Sequence, residues 1–235
     1  MKFNCAEKNK NMQTHRIKNR INQIDKSADC IVIKQSFPNE GKLRANRYRK
    51  CVIQVIFVDI CGFTKFCKDV SKDKEKGIVI RTFHEGILDI FSSFKIKNVD
   101  IQGDGIFCTT SKKNNKVFEC AVNINNYLKD FWSKKVEERI KKELDYKISI
   151  VSEEELILIA GKNTQKKLIY CGGAVNIAKK INEKLNEKNC IILNGKFKEK
   201  LNEKYQSKME RISHKYEIIG ECWKSNYDTE DHEKW

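Results

Sequence analysis

The stretch Cys51–Phe66, CVIQVIFVDICGFTKF, decides the fold. From Val52 to Val58 only Gln54 is polar, and a run this rich in Val and Ile reads as a strand buried on both faces. Asp59 ends the run and Gly62-Phe63-Thr64 follows at once. A carboxylate therefore sits where a central strand emerges. Gly62 lets backbone N–H groups in the adjoining turn approach a ligand closely. A carboxylate beside a turn of N–H donors suits a metal-bound phosphate. The competing reading of Asp59 is a cap for the helix that follows.

Working outward, Val79, Phe83, Ile87 and Phe91 recur at helical spacing. Two apolar runs, Ile96–Ile101 and Ile106–Thr110, then flank Gln102-Gly103-Asp104-Gly105. Asp-Gly between two strand patterns predicts a hairpin, with Asp104 as a type I′ turn residue. Val117, Cys120, Ala121, Ile124, Leu128 and Phe131 form a further helical stripe. Tyr146–Val151 and Leu156–Ala160 predict a strand pair. In Leu168–Ile181, LIYCGGAVNIAKKI, a short strand runs into Gly172-Gly173 and a helix opens with Val175, Ala178, Ile181 and Leu185 as its buried face. Asn176 and Lys180, four apart, project from one side of it, as a solvated face or as ligand contacts. Ile191–Leu193 and Tyr216–Ile219 read as late strands. The succession of strand, two helices, hairpin, helix, hairpin, helix and strand predicts an α+β, ferredoxin-like split βαβ sheet with helices over it.

Three segments follow from composition: a basic N-terminal arm over 1–45, one globular domain over 46–227 and a polar tail over 228–235. The arm holds one apolar patch, Cys30–Ile33, and the chain's one proline, Pro38. Net charge is +15, from 47 Lys and Arg against 32 Asp and Glu. The lysines are spread through the chain and interleaved with Glu and Asn. That pattern marks solvated helix faces and argues against a nucleic-acid platform. The ten cysteines include no CxxC pair, and several lie in apolar segments as small hydrophobes. Met1 is followed by a polar, basic segment and not by a signal core, and no apolar run is long enough to span a bilayer. The expectation is a cytoplasmic protein with reduced thiols and no membrane partner.

Asp59 and Asp104 fall at the ends of neighbouring elements if the hairpin packs beside the first strand. Two aspartates, oxygen donors only, favour hard divalent cations, Mg²⁺ or Mn²⁺, and paired ions suit phosphoryl chemistry. The three motifs together, FVDICGFTKF, IQGDGIF and YCGGAVNIAKKI, resemble the class III nucleotidyl cyclases, the adenylate and guanylate cyclase catalytic domains, over about Val52 to Tyr227. The resemblance implies a head-to-tail homodimer with shared active sites. It makes Asp59, Asp104 and the backbone carbonyl of Ile60 the ligands of two divalent ions, Mn²⁺ or Mg²⁺. It makes the N–H groups of Cys61, Gly62, Phe63 and Thr64 the cradle of the β- and γ-phosphates. Asn176 would orient the ribose. Lys180 stands where the family has an arginine on the α-phosphate, which keeps the charge and loses the bidentate fork.

The base-selecting positions depart from the family pattern. Three residues before Gly103 stands Asp100, and three before Gly172 stands Ile169, so neither the adenine pair (Lys with Asp) nor the guanine pair (Glu with Cys) is present. In this the chain is most similar to the pyrimidine cyclases of the Pycsar antiphage system, which make cyclic UMP or cyclic CMP to activate a separate effector. The resemblance implies conversion of UTP to cyclic UMP, with CTP as the alternative substrate. Further alternatives are an adenylate cyclase and an inactive, nucleotide-binding homologue. Asp100 would accept from uracil N3–H or the cytosine amino group. Tyr48, in the basic RANRYRK stretch, is a candidate to stack on the base or an ordinary strand-edge tyrosine.

Overall fold

In the computed structural model, the described residues are 33–34, 48–160, 167–214 and 216–227. Apart from Ile33–Lys34, the readings made of residues 1–45, including the turn at Pro38, lie outside them, as does the tail over 228–235. In chain order the elements are β1 (Ile33–Lys34), β2 (Tyr48–Ile60), α1 (Phe63–Asp69), α2 (Asp73–Ser93), β3 (Asn98–Gln102), β4 (Gly105–Thr110) and α3 (Asn114–Asn126). A π-type turn (Tyr127–Trp132) leads into α4 (Ser133–Ile140), β5 (Tyr146–Ala160), β6 (Lys167–Tyr170), α5 (Ala174–Lys184), β7 (Ile191–Asn194), α6 (Gly195–Lys198) and α7 (Glu203–Gln206). The strand β8 (Met209–Ile212), a 3₁₀ turn (Glu217–Ile219) and β9 (Cys222–Ser225) complete the set.

Two compact units divide the chain. The larger, Val52–Glu155 with Gly172 onward, holds a mixed sheet in the order β3-β4-β2-β5-β7-β9-β8. Strand β4 runs antiparallel to β2, with Val58 opposite Ile106, and β7 runs parallel to β5. Strand β2 is central, as its unbroken apolar run requires. Ile56, Val58 and Ile60 point to one face, where Val79, Phe83, Ile87 and Phe91 of α2 and Val117, Phe118 and Ala121 of α3 close the core. Cys108 and Cys120 pack there as free, fully buried thiols. On the opposite face Phe57 and Phe107 stack at 6.1 Å. The smaller unit comprises the chain up to Cys51 and Leu156–Cys171. In it β1 runs parallel to the start of β2, with Ile33 opposite Arg49, and β6 runs antiparallel to the outer part of β5, with Leu158 opposite Ile169.

The α+β class holds, and four local readings are corrected. The expected strand pair over 146–160 is one continuous strand. Ser152–Glu155 looks like a polar turn but stays in the sheet because side chains from elsewhere satisfy it. The Asn194 amide exchanges hydrogen bonds with Ser152 N–H and C=O, at 3.0 and 3.2 Å, and Glu155 is buried. The late strand expected at Tyr216–Ile219 is a 3₁₀ turn, and the two strands flanking it, β8 and β9, pair with each other. Phe131 leaves the core because the π-type turn rotates it outward, to 53% exposure. Val175 is only half-buried on α5, whereas Ala178, Ile181 and Leu185 are buried as expected.

Gly86 on α2 shows how tightly the helices meet. A Cβ there would fall on the Tyr127 ring, whose hydroxyl donates to Thr82 O at 2.7 Å. Gly86→Ala is expected to destabilise the fold by about 1–3 kcal/mol through overpacking. Urea titration monitored by circular dichroism checks this, and an unchanged midpoint would contradict it.

Candidate active site

Strand β2 continues one residue past Asp59, so the carboxylate is held by the sheet itself and is half-buried. The helix α1 that follows is capped by Gly62, in the left-handed region at φ 70°, with no side-chain cap. Asp59 is thus not a helix cap. The hairpin brings Asp104 alongside, since β3 ends at Gln102, β4 begins at Gly105 and those two residues pair. The positive φ of this turn, 66°, belongs to Gly103, and Asp104 is not among the positive-φ residues. Gly103-Asp104 therefore forms the two-residue loop with glycine first, as a type II′ turn requires, in place of the expected I′ turn on Asp104-Gly105. Gly105 keeps this corner uncrowded, because a Cβ there would stand 3.2 Å from Asp59 Oδ1 and 3.1 Å from the Phe57 ring and would push one of them aside. From α2, His84 Nε2 lies 3.4 Å from the Asp104 carbonyl oxygen, a contact no sequence pattern indicated.

Asp59 senses the neighbouring Asp104 carboxylate. Burial, and then the charge of Asp104, raise Asp59 to about 6 from its ordinary 3.8. The N–H of Ile60 and Lys179 on α5 oppose the rise, and Glu183 adds to it. Buried like charges of this kind favour a cation between them. The donor set fits a hard divalent ion, since it is oxygen only. Among the described residues no group of three or more His, Cys, Asp or Glu side chains could hold a metal. Coordination at Asp59 and Asp104 would therefore need backbone oxygen and ligand phosphate to be complete, which suits ions that arrive with a nucleotide.

Of the four N–H groups expected to cradle phosphates, one is taken. Cys61 N–H donates to Asp145 O at 2.8 Å, closing the chain after β2 against the start of β5. The other three belong to Gly62, the N-cap of α1, and to Phe63 and Thr64 in its first turn, where N–H groups lack intrahelical acceptors. On α5, Asn176 is exposed and its Nδ2 donates to Gly172 O at 3.4 Å. Lys180 is half-buried and has no hydrogen-bond or ion-pair partner among the described residues. Neither of them hydrogen-bonds Asp59 or Asp104 within the chain. Asp100 lies exposed on β3 of the larger unit. Ile169, 39% exposed on β6, and Tyr48, the first residue of β2, belong to the smaller unit.

This sequence matches the family described as the adenylate and guanylate cyclase catalytic domain over residues 45–229. The chain belongs to that family. The fold agrees with solved cyclase structures. A guanylyl cyclase, Cya2, superposes with a TM-score of 0.64 at 17% identity, over 75% of this chain and 91% of that one. The adenylyl cyclase CyaB from P. aeruginosa gives 0.66 at 13% identity, over 80% and 100%. The guanylate cyclase domain of RhGC from Catenaria anguillulae gives 0.61 at 14%, over 74% and 96%. No curated protein matches by sequence. Among the described residues of this cyclase domain, no helix is long and apolar enough to cross a membrane. Ion pairs such as Lys76–Asp73, Arg81–Glu85 and Lys135–Glu138 join basic to acidic side chains within single helices.

Proposed function

We propose that this cyclase domain converts UTP to 3′,5′-cyclic UMP and pyrophosphate, as a head-to-tail homodimer in which each site draws on both chains. The observation that carries the reading is the placement of Asp59 and Asp104 side by side at the end of β2 and the β3–β4 turn, with Asp59 raised to about 6 by burial and its neighbour. Asp59, Asp104 and the Ile60 carbonyl would hold two divalent ions, Mn²⁺ or Mg²⁺. Those ions would supply charge neutralisation on the triphosphate and acidify the ribose 3′-hydroxyl. The first turn of α1, Gly62 to Thr64, receives the β- and γ-phosphates. Asn176 and Lys180 of the other chain orient the ribose and contact the α-phosphate. Lys180, with no partner among the described residues, is a cation waiting for such an anion. The 3′-oxygen attacks the α-phosphorus and loses its proton to solvent. The bond from that phosphorus to the bridging oxygen breaks, and pyrophosphate leaves. Catalysis comes from positioning and charge, without a dedicated side-chain base.

The pyrimidine assignment rests on Asp100 and Ile169. An apolar Ile169 gives a purine edge no hydrogen-bond partner, and a site that leaves polar groups unpaired discriminates strongly. Asp100 accepts equally well from uracil N3–H and from a cytosine amino group, so cyclic CMP from CTP is the second reading. Tyr48 is a candidate to stack on the base. The product would act as a second messenger on a separate effector, in antiphage defence of the Pycsar kind. Incubation with each of the four ribonucleoside triphosphates and Mn²⁺, followed by chromatography, tests the substrate. Cyclic UMP is expected as the main product. Cyclic AMP or cyclic GMP alone would overturn the pyrimidine reading, and cyclic CMP alone would move it to the second substrate.

A further inference from the structure

The helix α5, which carries Asn176 and Lys180, is gripped along its length by polar side chains of one strand. On β5, Ile148 and Ile150 face the main core, while Lys147 and Ser149 face the other way, onto α5. Lys147 Nζ donates to Asn182 O at 2.9 Å and also to Leu185 O, so an ammonium caps the helix C-terminus. Ser149 Oγ donates to Ala178 O at 2.8 Å in the middle of the helix. At the other end Glu155, 1% exposed, accepts from Gly172 N–H and, at 2.9 Å, from Ala174 N–H. Carboxylate at the N-terminus and ammonium at the C-terminus both oppose the helix dipole favourably. A slide of α5 along β5 would break contacts at both ends.

Gly172 belongs to this arrangement. A Cβ on it would stand 2.8 Å from the Glu155 carboxyl carbon and 3.2 Å from its Cα, so only glycine lets the carboxylate reach the peptide N–H. The carbonyl oxygen of the same residue accepts from Asn176 Nδ2 at 3.4 Å. Glu155 is thus one residue away from Asn176: it accepts from Gly172 N–H, and Gly172 C=O accepts from the Asn176 amide.

We propose that Glu155 is a positioning residue for the cyclase reaction, which sets the height of α5 and the orientation of Asn176 through the backbone of Gly172. The proposal rests on the cyclase reading above for its effect on turnover, and on the hydrogen bonds alone for its effect on the helix. A misplacement of Asn176 and Lys180 by about 1 Å costs on the order of 100-fold in rate and little in ground-state binding.

The test uses the full chain with Glu155→Ala and Glu155→Gln, together with hydrogen–deuterium exchange over residues 172–176 and, as internal control, over 181–185. For Glu155→Ala the expected result is a kcat lower by about 10- to 100-fold with KM within about threefold. Amide exchange over 172–176 should speed by about tenfold, with 181–185, held by Lys147, unchanged. Glu155→Gln, which keeps one acceptor oxygen, should fall between and serves with the same readouts if the alanine variant does not fold. A kcat equal to that of the unsubstituted chain, or unchanged exchange over 172–176, would overturn the proposal. An equal fall in kcat with equal acceleration in both segments would overturn it too, because that pattern is general loosening. If the unsubstituted protein forms no cyclic nucleotide from any triphosphate, the cyclase reading fails, and the exchange comparison by itself decides whether Glu155 holds the helix.

Discussion

Asp59→Asn is expected to abolish cyclic-nucleotide formation, by about 10³-fold or more, and at pH 8 to make the metal-free protein more stable than the unsubstituted chain. Both effects have one cause. Burial and the Asp104 charge raise Asp59 to about 6 from 3.8, so the folded metal-free chain binds this proton more tightly than the unfolded chain does. For a group raised in this way, the stabilising contribution is fully present below about 3.8 and is lost as pH rises through about 6. At pH 8 the ionised carboxylate therefore costs up to about 3 kcal/mol, and the neutral amide of Asn removes that cost. The gap between variant and unsubstituted chain should close as pH falls below about 4. Mn²⁺ should raise the midpoint of the unsubstituted chain and not that of the variant, since ion binding takes the proton's place. Pyrophosphate release and urea titrations at pH 4, 6 and 8, with and without Mn²⁺, read all of this. A variant less stable than the unsubstituted chain at pH 8 without metal would show that Asp59 serves the fold and not the ion.

Two inactive variants, Asp59→Asn and Asn176→Ala, are expected to restore activity when mixed. If each site takes its metal carboxylates from one chain and Asn176 with Lys180 from the other, a mixed dimer holds one site with both defects and one intact site. Random exchange of subunits makes half the dimers mixed, so the mixture should recover roughly a quarter of the unsubstituted activity. Within the chain neither Asn176 nor Lys180 hydrogen-bonds the aspartates, as this division requires. Each variant alone should lie about 100-fold or more below the unsubstituted enzyme. The assay is pyrophosphate release after co-refolding at equal concentrations. Activity no higher than the sum of the two variants would place the whole site in one chain.

The parts of the site that were legible in the sequence are those whose signal lies in consecutive residues. Val52 to Val58 reads as a central strand because both faces are apolar, and Ile53 to Val58 lies buried in the middle of the sheet, with Val52 exposed. The glycine-aspartate turn and the Gly172-Gly173 helix opening were legible for the same local reason. Asp104 stands at the hairpin's end in either turn type, so the change from I′ to II′ leaves its position as the sequence predicts. The failures fall where long-range partners replaced local ones. Ser152–Glu155 is polar enough to end a strand, yet Asn194 and the N–H groups of Gly172 and Ala174 hydrogen-bond it in the sheet. The strands β8 and β9 are four residues each and carry little period to detect.

Local pattern thus determined the α+β class and the family, and it put Asp59 and Asp104 at neighbouring strand ends and Asn176 and Lys180 on one helix. Strand burial, turn chemistry and helical period are each properties of a few adjacent residues. Only the tertiary structure decided that Asp59 is no helix cap, that Cys61 N–H is spent on Asp145, and that Glu155 and Lys147 hold α5 at its two ends. Those outcomes depend on which backbone group of a distant segment arrives within hydrogen-bond reach. The chain packs Glu155 against Gly172 across 17 residues and Cys61 against Asp145 across far more, and no periodicity in either segment announces the other.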